Sequence, residues 1–150
     1  MPSSELTIRE IQDGDVPDVV ALWGASGVSR PWNDPIADIA FARKSPQCIV
    51  LAGAIGQRLA ATVMVGEDGH RGWVYYLATH PELQRRGIAR AMMGAAEAWL
   101  RARGVWKMQL LIRADNAAAK GFYEKLGYGD TEAVCYQKVI IGDPASGDAR

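Results

Sequence analysis

Cysteine and histidine are scarce. The chain has two of each, Cys48, Cys135, His70 and His80, and no group of them has the spacing of a metal site. No metal is expected. Both cysteines sit in strand-like runs and read as buried, reduced thiols of a cytoplasmic protein rather than a disulfide. Net charge is absent, with 17 basic against 17 acidic residues. That excludes long-range attraction to nucleic acid or to acidic membranes, though local basic loops remain open. No apolar run approaches the ~20 residues a membrane helix needs. The start, M-P-S-S-E-L-T, lacks a basic flank and an apolar stretch, so no secretory signal is expected. No repeat, linker or low-complexity block interrupts the chain.

What is present suits a globular protein. The 150 residues fit one domain, 1–150, with 49% hydrophobic and 23% charged residues. The last stretch, 142–150 (G-D-P-A-S-G-D-A-R), reads as a flexible tail. Leu6 to Ile11 alternates and reads as a first strand. Asp13 or Asp15 is placed to cap a helix with Pro17 in its first turn, Val16, Val19, Val20 and Trp23 inward, and Gly24 and Gly27 as breakers. The loop R-P-W-N-D-P, Arg30 to Pro35, is stiffened by two prolines and carries Arg30, Trp32, Asn33 and Asp34. It reads either as a recognition surface or as a capping turn in which Asp34 opens a helix at Pro35. Ile36 to Lys44 continues as that helix, with Ile36, Ile39 and Ala40 inward. Gln47 to Ile55 and Arg58 to Val65 read as two strands around a turn at Gly56-Gln57. His70 and His80 read as loop and turn residues.

The rest is organised around His80 to Met93, H-P-E-L-Q-R-R-G-I-A-R-A-M-M. An apolar strand, Gly72 to Ala78, precedes it. A helical pattern follows, with Ile88, Ala91, Met92, Ala95, Trp99 and Ala102 at near 3.6 spacing and Gly104 placed to end it. A helix start carries unpaired N–H groups and about half a unit of positive charge, which suits phosphate. Gly87 lets the backbone come close, Ala89 keeps the next side chain small, and Arg85 and Arg86 add charge. The loop is neither G-x-G-x-x-G nor a Walker sequence. Beyond it, Val105 to Arg113 reads as a strand. Asp115 to Gly127 reads as a short helix capped by Asp115 or Asn116, with Ala119, Phe122 and Leu126 on one face. Thr131 to Ile141 reads as a closing strand, in a hairpin with Tyr128 to Asp130.

Q-R-R-G-I-A, Gln84 to Ala89, resembles the [QR]-x-x-G-x-[GA] acetyl-CoA signature of the GNAT superfamily of N-acetyltransferases. Asn116-x-x-Ala119-x-x-x-Tyr123 followed by E-K-L-G-Y is similar to that family's second motif. The resemblance spans about Leu6 to Ile140. R-P-W-N-D-P, D-G-H-R-G and Y-Y-L look like the YpeA-type bacterial acetyltransferases.

The resemblance implies an α/β (α+β) fold: a mixed, mostly antiparallel sheet flanked by helices, whose parallel strands around 73–78 and 107–112 splay apart. It implies acetyl-CoA as cofactor. The backbone of Leu77, Ala78 and Thr79 would pair with the pantetheine arm. Gln84, Arg85, Arg86, Gly87, Ile88 and Ala89 would take the pyrophosphate. Asn116, Ala119, Phe122 and Tyr123 would line the arm, with Tyr123 facing the sulfur as candidate acid. Arg30, Trp32, Asn33, Asp34 and Tyr75 would face a small-molecule or peptide amine substrate, and a homodimer fits.

The implied reaction is direct attack of an amine on the thioester, with backbone donors stabilising the oxyanion. A phenol near pKa 10 facing a thiol near 8.5 is uphill by roughly 2 kcal/mol, so Tyr123 would act by hydrogen-bonding developing thiolate charge. Helix packing is the competing role for Tyr123. Many members carry a Glu base where this chain has Trp73, and others near Leu111; both positions are apolar here. Neutralising a lysine-like amine at pH 7 costs roughly 4.6 kcal/mol, an α-amine only about 1. The substrate amine is therefore expected to have a modest pKa, or to lose its proton through water to Glu67, Asp34 or Tyr75. The alternative is a catalytically silent acyl-CoA-binding or sensor domain.

Overall fold

The computed structural model describes residues 5–142. The chain forms two compact units, one up to Leu111 and one from Ile112 onward. Past Gly142, the expected tail lies outside the described residues.

The first unit is a five-stranded sheet in sequence order: β1 (Leu6–Glu10), β2 (Cys48–Ile55), β3 (Arg58–Glu67), β4 (Gly72–Thr79) and β5 (Met108–Gln109). The first three pairings are antiparallel and the last is parallel. Three helices cover it: α1 (Val16–Ser26), α2 (Pro35–Arg43) and α3 (Ile88–Ala102).

Helices α1 and α2 bury Val19, Leu22, Trp23, Ile39 and Ala42 in one cluster with Val50, Ala52 and Ala78 of the sheet. Pro17 lies in the first turn of α1, and Gly27 closes that helix in the left-handed conformation at φ 78°. Gly24 does not break α1; it lies inside it, where neighbouring helix formers outweigh one glycine. Asp34 caps α2, its Oδ1 accepting from the amides of Ile36 and Ala37. Ile36 and Ala40 point outward instead of inward, and Ala42 is buried beside Ile39. The helix starts at Pro35 as expected, and its inner face runs through Ile39 and Ala42.

Helix α3 packs on β3 and β4 through Ile88, Met92, Met93, Ala96 and Leu100. The expected stripe through Ala91, Ala95 and Trp99 is only half-buried. Two strand glycines explain the rotation. A Cβ on Gly53 would lie 2.8 Å from Met92 Sδ, and one on Gly72 would lie 2.4 Å from Leu100 Cδ1. The missing side chains make slots for Met92 and Leu100. Trp99 stays at the margin under the Arg103 guanidinium, 4.5 Å from its ring centroid.

Two other expectations are corrected. The strand expected over 105–113 is ladder-paired only at Met108–Gln109. The closing strand and hairpin expected over 128–141 do not form. Tyr128 to Ile140 runs without a turn or bend, yet belongs to no ladder among the described residues. Strand character requires a partner, and apolar alternation alone does not supply one. Cys135 on this segment is exposed and Cys48 is half-buried, so neither thiol is buried as expected; both are free. In the second unit, α4 (Ala117–Lys125) is capped by Asn116, whose Oδ1 accepts from the Ala119 amide at 3.0 Å. Gly127 follows at φ 95°.

Candidate active site

The loop before α3 is pinned at both ends by buried side chains, Leu83 and Ile88. Between them the backbone alternates in handedness. Gln84 is extended, Arg85 is left-handed at φ 66°, and Gly87 is left-handed at φ 77° as the cap of α3. Such alternation turns successive N–H groups toward one concave point, which is an anion nest. Among the described residues, none accepts a backbone hydrogen bond of good geometry from the amides of Arg85 to Ala89, although Gln84 and Arg85 lie in a turn. The first backbone bond in this region runs from the Ala91 amide to the Gly87 carbonyl, as helix geometry requires.

Charge at the loop is one-sided. Arg85, Arg86 and Arg90 are exposed and enter none of the ion pairs among the described residues. The nearby acid, Glu82, is drawn to Arg58 at 2.7 Å, and that hydrogen bond holds its carboxyl below the ordinary range. The His80 ring accepts from the Glu82 amide, as a turn residue would. The side chains of Ile88 and Ala78 are buried; the Ile88 backbone can face a ligand, whereas the backbone of Ala78 pairs with Thr62 of β3.

Beside this loop the sheet opens. Strands β4 and β5 pair at Gly72↔Met108 and Trp73↔Gln109 and no further. From Val74 to Thr79 the outer edge of β4 has no strand against it among the described residues. That edge includes Leu77 and Thr79.

A bulge re-aims β4 along this open edge. Thr62 pairs with Ala78 and Met64 with Tyr75, which leaves Tyr76 and Leu77 together opposite Val63. Tyr76 is left-handed at φ 54°. Before the bulge, even positions face α3, as Gly72 does against Leu100. After it they face α1 and α2, as Ala78 does. Three contacts hold Tyr76 there. Its ring stacks on Trp23 at 3.7 Å and 5°. Its carbonyl accepts from Thr62 Oγ1 at 3.0 Å, and that hydroxyl accepts from Trp23 Nε1 at 2.8 Å. Its phenol donates to Asp38 Oδ2 at 2.6 Å. Burial, with the Asp38 hydrogen bond and charge, pushes the Tyr76 phenol well above its ordinary pKa, and an Asn33 hydrogen bond opposes this.

Sequence reading singled out Tyr75, which is half-exposed on the same strand, and passed over Tyr76 and Asp38. No local signal marks the bulge. The structure brings Asn33 to Tyr76. It uses Asp34 Oδ1 as a helix cap and ties Arg30 Nη1 to the Gly27 carbonyl at 2.9 Å. Trp32 is half-buried in that loop. Trp73 Nε1 donates to Asp68 Oδ2, and Glu67 Oε1 accepts from the Gly69 amide.

In the second unit, Ala119, Phe122 and Tyr123 are half-buried. Tyr123 meets Phe122 and Tyr128 edge to face, at 5.0 and 5.9 Å between centroids. Burial raises the Tyr123 phenol above its ordinary pKa. Asn116 has its Oδ1 committed to the cap, which leaves its amide NH2 as the polar end to offer.

Solved structures share this fold. A transcriptional regulator from Bacillus halodurans C-125 superposes with a TM-score of 0.79 at 18% identity, covering 90% of this chain and 100% of that one. AAC(6')-Iy, in complex with the bisubstrate analogue CoA-S-monomethyl-acetylneamine, gives 0.79 at 14% identity, covering 91% and 99%. The ribosomal-protein-S18-alanine N-acetyltransferase from Escherichia coli gives 0.71 at 23% identity, covering 82% and 77%. Residues 9–128 match the Acetyltransferase (GNAT) family. With four-fifths of its length inside that match, a free-amide nest at the mouth of α3 and a sheet that opens beside it, this chain belongs to the GNAT acetyltransferase family.

Proposed function

We propose that this chain transfers the acetyl group of acetyl-CoA to a primary amine by direct attack in a ternary complex. The observation that carries the reading is the set of amides from Arg85 to Ala89 without a backbone acceptor of good geometry, flanked by Arg85, Arg86 and Arg90, which enter no ion pair among the described residues, beside the open edge of β4. In a chain of this family, that concavity suits the pyrophosphate. Backbone groups of Leu77 and Thr79 are proposed to meet the pantetheine arm, with Ala78 between them tied to β3, and Asn116 and Ala119 belong to the same role by motif. The thioester supplies an activated acyl group; the protein supplies position and fixed dipoles.

Tyr123 is proposed to donate a hydrogen bond to the departing sulfur. Burial raises its pKa, which further favours the protonated phenol that the role requires. Arg30, Trp32, Asn33, Asp34 and Tyr75 are proposed to face the acceptor, in a pattern like the YpeA-type enzymes. Neighbours in complex with a bisubstrate analogue and named as an alanine N-acetyltransferase support an amine acceptor.

The test has two arms. Titration with coenzyme A is expected to raise the melting temperature, as a ligand specific to the folded state must. Incubation with acetyl-CoA and an amine panel is expected to release free thiol, with Tyr123→Phe lowering kcat by about 10- to 100-fold while KM for acetyl-CoA moves little. Coenzyme A binding without turnover of any amine would overturn the transferase reading.

A further inference from the structure

Among the described residues, Asp38 is a carboxylate of this site whose side chain accepts from a phenol and not from a backbone amide. It stands in the first turn of α2, half-buried, and among the described residues no lysine or arginine pairs with it. Neighbouring acids are committed elsewhere. Asp34 caps α2, Glu67 meets the Gly69 amide and Arg103, and Asp68 accepts from His70, Arg71 and Trp73. Asp38 instead receives one phenol, that of Tyr76, on Oδ2. A half-buried carboxylate whose donor among the described residues is one neutral phenol gains from a charged partner.

The position of that carboxylate is fixed to the bulge. Tyr76 is held by the Trp23 stack at one face and by Thr62 at its carbonyl. Asp38 is thus spaced from the open β4 edge by the length of one tyrosine side chain. The distance is too long for Asp38 to reach an atom reacting at the bulge backbone. It suits a group further along the same acceptor.

We propose that Asp38, aligned by Tyr76, receives a second positive charge on the acceptor, so that the substrate class is diamines and polyamines rather than simple monoamines. Resting on the transferase reading above, this assigns a specificity residue to that same site. Oδ2 takes the phenol and Oδ1 takes the ammonium. The reacting amine then reaches the open edge of β4 at the other end of the molecule. Tyr76 is a positioning residue and Asp38 a binding one.

The experiment compares 1-aminopentane with linear diamines of three to eight carbons. Wild-type protein with acetyl-CoA is expected to favour one diamine length at least tenfold over 1-aminopentane in kcat/KM. Asp38→Asn is expected to abolish that preference, leaving the coenzyme A dissociation constant within twofold. Asp38→Glu, which keeps the charge on a longer arm, is expected to retain it with a shorter optimum. Tyr76→Phe is expected to weaken it several-fold through KM. In parallel, calorimetric titration of the diamines into protein loaded with coenzyme A reads binding without chemistry. Diamine binding that depends on Asp38 but gives no acetylation sinks the transferase reading alone. Equal treatment of diamines and monoamines by the wild type, or a preference that survives Asp38→Asn, overturns the assignment of Asp38.

Discussion

Trp23 and Tyr76 lie ring against ring, 3.7 Å apart and within 5° of parallel, and Tyr76 makes this contact from a left-handed backbone. An L-residue in that region costs about 1–2 kcal/mol. The stack, the Thr62 hydroxyl and the Asp38 carboxylate together offset that cost. The bulge is therefore maintained from α1 and α2, not by β4 itself. The open edge beside it inherits its shape from a helix pair on the far side of the sheet.

Thr62 is the test of that dependence. It is fully buried and relays one hydrogen bond from Trp23 Nε1 and one to the Tyr76 carbonyl. Thr62→Val keeps the volume and removes the hydroxyl, so a buried indole N–H and a carbonyl lose their partner. The expected loss is about 2–4 kcal/mol, read by urea denaturation. Thr62→Ser restores the hydroxyl and is expected to cost less than Thr62→Val. Activity should follow the bulge: kcat/KM for the amine falls more in Thr62→Val than its residual folded fraction explains.

Gly87 separates backbone strain from ligand access. Its φ is 77°, that of Gly104 at the other end of α3 is 82°, and a Cβ at either would meet nothing within 4 Å. Alanine at each carries similar strain of about 1–2 kcal/mol. Only Gly87 lies in the nest. Gly87→Ala is expected to weaken coenzyme A binding at least tenfold by calorimetry, and Gly104→Ala to leave it within twofold at the same loss of melting temperature. Equal binding by both variants would place the phosphates elsewhere.

Much of this fold is legible in the sequence because its signals are local. Asp34-Pro35 announces the start of α2, Gly87 the mouth of α3, alternation marks β1, the Gly56-Gln57 turn divides β2 from β3, and an apolar run marks β4. What escapes is long-range. The inner face of α3 is set by the absence of side chains at Gly53 and Gly72, which no periodicity within the helix records. Tyr76 rather than Tyr75 enters the network because an unpaired residue shifts the parity of β4, and alternation counted along the strand passes over it. The segments around 105–113 and 128–141 read as strands by pattern, but a ladder is a property of two segments, and among the described residues they form one only at Met108–Gln109.

Asp15 gives a pH dependence with a defined window. Its carboxylate accepts from Arg9 at 2.7 and 3.0 Å and from the Gln12 amide at 2.8 Å, and these bonds lower its pKa from 3.8 to about 2. A depressed folded-state pKa contributes stability above pH 3.8 that is lost as pH falls through about 2. The Arg9 side chain is 42% exposed, so solvent screening holds the contribution to about 1 kcal/mol or less. Asp15→Asn is expected to melt below the wild type at pH 7, with the gap closing between pH 4 and pH 2. A gap unchanged at pH 2 would assign the effect to the turn, not to the charge.

Gly72 and Leu100 are coupled by space. A Cβ at Gly72 would stand 2.4 and 2.9 Å from the two methyls of Leu100, which is 2% exposed and has little room to retreat. Gly72 also opens the parallel pairing, its amide donating to the Lys107 carbonyl at 2.9 Å. Gly72→Ala is expected to destabilise by about 1–3 kcal/mol through overpacking. Leu100→Ala is expected to cost about 2–5 kcal/mol through the cavity it leaves. In the double variant the new methyl enters that cavity, so the two losses should fall short of additivity by at least about 1 kcal/mol. A double-mutant cycle by urea denaturation measures this directly, and strict additivity would mean that Leu100 does not occupy the slot Gly72 provides.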